Sequence, residues 1–171
     1  MDQSGACRAI DAIIKAGGVT NPSAASQKQS LLSDMFDQIN GQGNAFSLDS
    51  SVNGAKKLVV QAGLAQGATC TASPSTELKK AVNAYFTDSS INGPTIALAS
   101  TLDGLATTAV NNGAANALTA INCLPEGSSR QKTTKNNAKK AVADAKALYT
   151  SQTTMATAWK NVLSCAATLA A

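Results

Sequence analysis

Four cysteines, ten carboxylates, fourteen lysines and arginines and no histidine make up the reactive inventory of this 171-residue chain. Cys7, Cys70, Cys123 and Cys165 are spread along its whole length. Zinc sites draw on close pairs such as C-x-x-C or on mixed cysteine and histidine sets. Neither pattern occurs, so no metal or other cofactor is expected. Widely spaced cysteines in even number are read as two long-range disulfides, with four buried thiols as the alternative, and disulfides imply an oxidising compartment. Secretion is expected on that ground, although Met1-Asp2-Gln3-Ser4-Gly5 carries neither a basic nor an apolar leader segment.

Proton transfer near neutral pH most often uses histidine; without it a chain must tune carboxylates, lysine or cysteine. Asp34 and Asp37 stand three residues apart on a predicted helix, which could set two carboxylates side by side. They flank the apolar Met35 and Phe36 and read as a solvated face. No convincing S-x-x-K frame, phosphate loop, dinucleotide fingerprint or calcium loop accompanies them. The expectation is a non-enzymatic protein, and no catalytic residue is nominated.

One stretch has a distinct charge. Arg130, Lys132, Lys135, Lys139, Lys140 and Lys146 face only Asp144, a local balance of +5 within a total of +4. Cations near a helix N-terminus oppose the macrodipole. That unfavourable placement makes Arg130, Lys132, Lys135, Lys139 and Lys140 the candidates for contact with an anionic surface, the ordinary reading being a solvated lysine face. Lys135 and Lys139, one turn apart, are expected to present their ammonium groups to solvent together. No sequence-specific nucleic-acid contact is indicated.

The elements that position these groups read as helices throughout. Alanine dominates, only six residues are aromatic, and β-branched runs that would mark strands are missing. The apolar spacing predicts helices over about Ser4 to Ala16, from Asn21-Pro22 to Ile39, and from Leu48 to Gln66. Ser73-Pro74 is expected to open a fourth helix and Gly93-Pro94 a fifth, with an interruption at Asn111-Asn112-Gly113. After the loop at Ser128 and Ser129 one helix could run almost to the end, with Ala141, Ala145, Leu148, Gln152, Met155, Trp159, Val162, Ala166 and Leu169 as a seam. The Asn-Gly pairs at Asn40, Asn53, Asn92 and Asn112 read as helix stops. No stretch approaches the length of a transmembrane span.

The fold expected is all-α: a compact single-domain bundle over residues 1–171, of five to six helices with a long C-terminal helix and two disulfides. If consecutive helices alternate in direction, Cys7 meets Cys165 and Cys70 meets Cys123. Such a protein would act through its surface, as a structural, adhesive or interfacial element that self-associates, sits at an interface or binds an anionic surface. The alternative is a carrier of small hydrophobic ligands or lipids in a cavity between helices, with Phe36, Tyr85, Phe86, Met155 and Trp159 as walls.

Overall fold

A computed structural model describes residues 9, 11–13, 15, 29, 33–40, 48–66, 70 and 74–168. All-helical architecture is observed, with no strand among the described residues. Residues 9, 11–13 and 15 are helical, as are residues 33–39. Five helices follow: α1 Ser50–Gln66, α2 Thr76–Thr87, α3 Ser89–Asn122, α4 Ser129–Thr150 and α5 Met155–Thr168. The expected start at Asn21-Pro22 lies outside the described residues.

The chain divides into two compact units. One comprises Asp37–Asp103 and Thr153–Ala171, the other Asp2–Phe36 and Gly104–Gln152. In the first, α1, α2 and α5 pack on one another. Their core is Ala55, Val59, Val82, Phe86, Val162, Cys165 and Ala166. Close approach here depends on a missing side chain. A Cβ on Gly63 of α1 would stand 2.6 Å from Val162 Cα and 3.0 Å from its N and Cγ2, so only glycine lets the two backbones meet. In the second unit the buried residues include Ile13, Met35, Val110, Ala114, Ile121 and Val142.

Local capping decides where the helices begin. Asp49 caps α1: its Oδ1 accepts the backbone N–H of Ser51 at 2.9 Å and the Ser51 hydroxyl. Asp88 does two things at once. Its N–H bonds to Ala84 O at 3.1 Å, closing α2, while its Oδ1 accepts the Ser90 N–H at 2.8 Å and the Ser90 hydroxyl at 2.6 Å. This cap starts α3 five residues before Pro94, which therefore lies inside the helix instead of opening it. Likewise α2 begins at Thr76 behind Ser75, two residues later than Ser73-Pro74 suggested.

Three expected stops are crossed. Asn53-Gly54, Asn92-Gly93 and Asn112-Gly113 all lie within helices, and α3 continues unbroken through Asn111-Asn112-Gly113. A helical glycine costs only about 1 kcal/mol, and packing offsets it: Gly113 is buried, with Ile13 Cγ2 3.9 Å from where a Cβ would be. Threonine hydroxyls fold back onto the helices that carry them. Those of Thr95, Thr101, Thr119, Thr133, Thr134 and Thr150 each bond the carbonyl four residues back.

The C-terminal helical stretch is present in two pieces. Ser151–Thr154 separates α4 from α5, so the expected seam does not run through. Two caps make the break. The Ser151 N–H and hydroxyl bond Ala147 O and Leu148 O at 3.0 and 2.7 Å, closing α4. Asp103 of α3 then receives the first amides of α5, Met155 N–H on Oδ1 at 2.7 Å and Ala156 N–H on Oδ2 at 2.9 Å. A carboxylate at a helix N-terminus satisfies donors that have no partner within the helix. Gln152 consequently sits in a corner, and Leu148 is 60% exposed.

The disulfide prediction needs correction. Cys70 is joined to Cys165, with Cα atoms 4.8 Å apart, and this is the one disulfide among the described residues. Cys123 is an exposed free thiol. The pairings of Cys7 with Cys165 and of Cys70 with Cys123 are thereby excluded, Cys7 itself lying outside the described residues. The alternating bundle from which they came placed Cys70 at the far end from Cys165. It fails because α1 and α5 pack together in one unit, bringing the chain just after α1 to the end of α5.

Candidate functional site

The basic segment occupies α4. This helix begins at Ser128, whose Oγ accepts the Gln131 N–H at 3.3 Å while Gln131 Oε1 accepts the Ser128 N–H at 2.9 Å. That capping box offsets the cost of the cations that follow. Its signature, Ser128 with Gln131 three residues later, stands in the sequence at the end of the loop that precedes α4.

Lys135 does not face solvent. It is buried, and its Nζ donates to Asn122 O at 2.7 Å and Leu124 O at 3.3 Å, beside Glu126 Oε1 at 2.6 Å. The first of these carbonyls ends α3 and the second lies two residues beyond it; a helix C-terminus leaves acceptors unpaired and its dipole favours a cation. The lysine side chain thus joins the corner between α3 and α4. It also holds the Glu126 carboxyl below the usual range, first by hydrogen bond and then by charge, with smaller contributions from Lys139 and Lys132. Lys140 is exposed and pairs with Asp144 at 2.7 Å. Lys139 is half-buried; Arg130 and Lys132 are exposed. The five candidates therefore do not form a uniform solvent-facing row. Lys135 belongs to the fold, and Arg130 and Lys132 remain at the surface.

The aromatic candidates separate in the same way. Phe86 is buried and lies 5.7 Å, ring centre to ring centre, from Trp159 and 5.3 Å, edge-on, from Tyr85. Lys56 Nζ sits 4.7 Å from the Tyr85 ring centre, a cation–π contact. Met155, half-buried, starts the helix that carries Trp159. Phe36 is 65% exposed and belongs to the other unit. The sequence offered Tyr85, Phe86 and Trp159 as walls of a ligand cavity; they pack on one core, Phe86 buried and the other two half-buried against it. The sequence did not show that the Trp159 indole N–H would be buried with no acceptor among the described residues. A buried donor of that kind costs about 1–3 kcal/mol until something accepts from it.

Asp34 and Asp37 are both exposed. The carboxyls of Asp49 and Asp88 are held below their ordinary range, in each case chiefly by a serine hydroxyl, Ser51 and Ser90 respectively, and next by that serine's backbone N–H. Both serve helix starts, whereas Glu126 pairs with Lys135. No group of three metal-capable side chains occurs among the described residues, and no helix among them is long and apolar enough to cross a membrane. Comparison with known proteins matches no family model, no curated protein and no solved structure.

Proposed function

We propose that this is a non-enzymatic extracellular protein acting through its surface, as a structural, adhesive or interfacial element. The observation that carries this reading is the placement of large apolar side chains on the outer faces of packed helices. Leu148 is 60% exposed one turn beyond the buried Ala145, and Leu58 is 49% exposed beside the fully buried Val59. Each exposed leucine leaves apolar area in water that association or adsorption would remove. The Cys70–Cys165 bond supports an oxidising location. Light scattering across a concentration series and surface tension at the air–water interface test the proposal together. Assembly or adsorption that weakens in Leu58→Lys and Leu148→Lys is the expected result. A monomer at every concentration that leaves surface tension unchanged overturns it.

A second reading, a carrier of small amphipathic ligands, rests on one observation. The Trp159 indole N–H is a buried donor beside the apolar Phe86 ring, suited to a ligand that brings both an acceptor and apolar surface. Native mass spectrometry of protein from its source decides between the two. A co-purifying lipid lost in Trp159→Phe, which removes only the donor and part of the ring, favours the carrier; ligand-free protein removes it.

A further inference from the structure

Charge does not balance along the stretch of the second unit that holds α4. Between Gly104 and Gln152 stand six cations, Arg130, Lys132, Lys135, Lys139, Lys140 and Lys146, against two carboxylates, Glu126 and Asp144. Each carboxylate takes one lysine, Glu126 pairing with Lys135 at 2.6 Å and Asp144 with Lys140 at 2.7 Å. Arg130, Lys132, Lys139 and Lys146 are left without an ion pair among the described residues.

Three of these four fall on one line. Lys132, Lys139 and Lys146 follow one another at intervals of seven residues, and on a helix each interval is about 20° short of two turns and about 10.5 Å of rise. They therefore form a column about 21 Å long on α4. Lys132 and Lys146 are exposed and Lys139 is half-buried. The charges of Lys139 and Lys132 both reach Glu126, where they help to hold its carboxyl below the usual range.

The position of the column on the helix selects its partner. Lys135, Val142 and Ala145 are buried and mark the packed side of α4. At about 100° per residue the column stands roughly 40–80° round from Val142, on the flank, whereas Lys140 and Asp144 both stand about 160° from it, on the outermost line. A flat anionic bilayer approaching α4 from outside meets that self-neutralised pair first. A narrow linear anion lying along the flank meets three unmatched cations in a row, and each anionic group it contributes is neutralised with release of a counterion.

We propose that Lys132, Lys139 and Lys146 form a binding track for a linear polyanion running along α4, and that this polyanion is a sulfated polysaccharide. The choice of a polysaccharide among linear anions rests on the extracellular reading above; the track itself rests on charge and helix geometry.

Heparin fragments longer and shorter than the column test the track when titrated calorimetrically into the full-length chain at several salt concentrations. The longer fragment should bind, with affinity falling roughly 20- to 40-fold between about 50 and 200 mM salt for three neutralised anionic groups. Lys132→Gln, Lys139→Gln and Lys146→Gln should each lower the slope of log affinity against log salt by about 1. Lys57→Gln, at an exposed lysine of the first unit, removes the same net charge and should leave the slope unchanged. Because Lys132 and Lys146 are exposed, their double variant tests the track even where Lys139→Gln folds poorly. The track is overturned if the longer fragment does not bind at low salt, if the shorter one binds as tightly, or if Lys57→Gln weakens binding as much as the track variants do. Tighter binding to duplex DNA, or to vesicles of phosphatidylserine and phosphatidylcholine, than to heparin overturns the assignment to a polysaccharide. Neither assembly nor surface tension is read in this titration, so its failure is distinguishable from failure of the association tests.

Discussion

Replacing Gly63 by alanine should destabilise the protein, although the same change elsewhere on the same helix should stabilise it. The new methyl would stand 2.6 Å from Val162 Cα and 3.0 Å from its nitrogen. Both are backbone atoms of α5 and cannot rotate aside. Overpacking of this kind costs typically 1–3 kcal/mol, and contact with backbone argues for the upper part of that range. Alanine returns about 0.8–1.0 kcal/mol through its helix propensity. The net loss is therefore about 1–2 kcal/mol, or roughly 2–8 °C in Tm for a chain of this size. Gly54 provides the control, because an added Cβ there meets nothing within 4 Å. Gly54→Ala should gain about 0.5–1 kcal/mol. Urea unfolding followed by Trp159 fluorescence reports on the right unit, since Trp159, Gly54, Gly63 and Val162 all belong to it. The reasoning fails if Gly63→Ala matches or exceeds wild-type stability; the α1–α5 approach would then not depend on the missing side chain.

Three further outcomes follow from the same contacts. Lys135→Met should cost about 1–3 kcal/mol in denaturant unfolding, because it strips the donor from the carbonyls at and just beyond the end of α3, whereas Lys140→Ala, which removes an exposed pair, should cost under about 1 kcal/mol; equal losses would refute the structural role of Lys135. Opening Cys70–Cys165 by Cys70→Ser, which frees a loop of sequence separation 95, should lower stability by about 4–5 kcal/mol on the chain-entropy account, and a loss of under about 0.5 kcal/mol in denaturant unfolding would show the cross-link to be redundant. Asp49, Asp88 and Glu126 have depressed pKa values in the folded state, so their contribution is complete above the ordinary carboxylate range and is lost as pH falls through their folded values; NMR titration of Ser90→Ala should move the Asp88 pKa upward toward its ordinary value, and no movement would contradict the assigned cause.

The sequence alone determined the helical class, because alanine content and apolar spacing act within one turn and need no partner. It also supplied Trp159 as an apolar seam position and the absence of any long apolar span. Short polar signals were legible in principle, as with the Ser128 and Gln131 capping box. What the tertiary structure decided was every outcome that depends on residues distant in sequence. Asp103, some fifty residues before α5, fixes where that helix starts and so breaks the apparent seam at Ser151–Thr154. Asn-Gly pairs that locally favour a stop remain helical where burial, as at Gly113, outweighs a propensity cost of about 1 kcal/mol. Lys135 looked like a surface cation until the end of α3 was placed against it, since nothing near it in sequence shows that helix carbonyls will need a donor. Disulfide pairing followed the same logic. Four evenly counted cysteines leave the partners open, and only the packing of α1 on α5 brings Cys70 within 4.8 Å of Cys165.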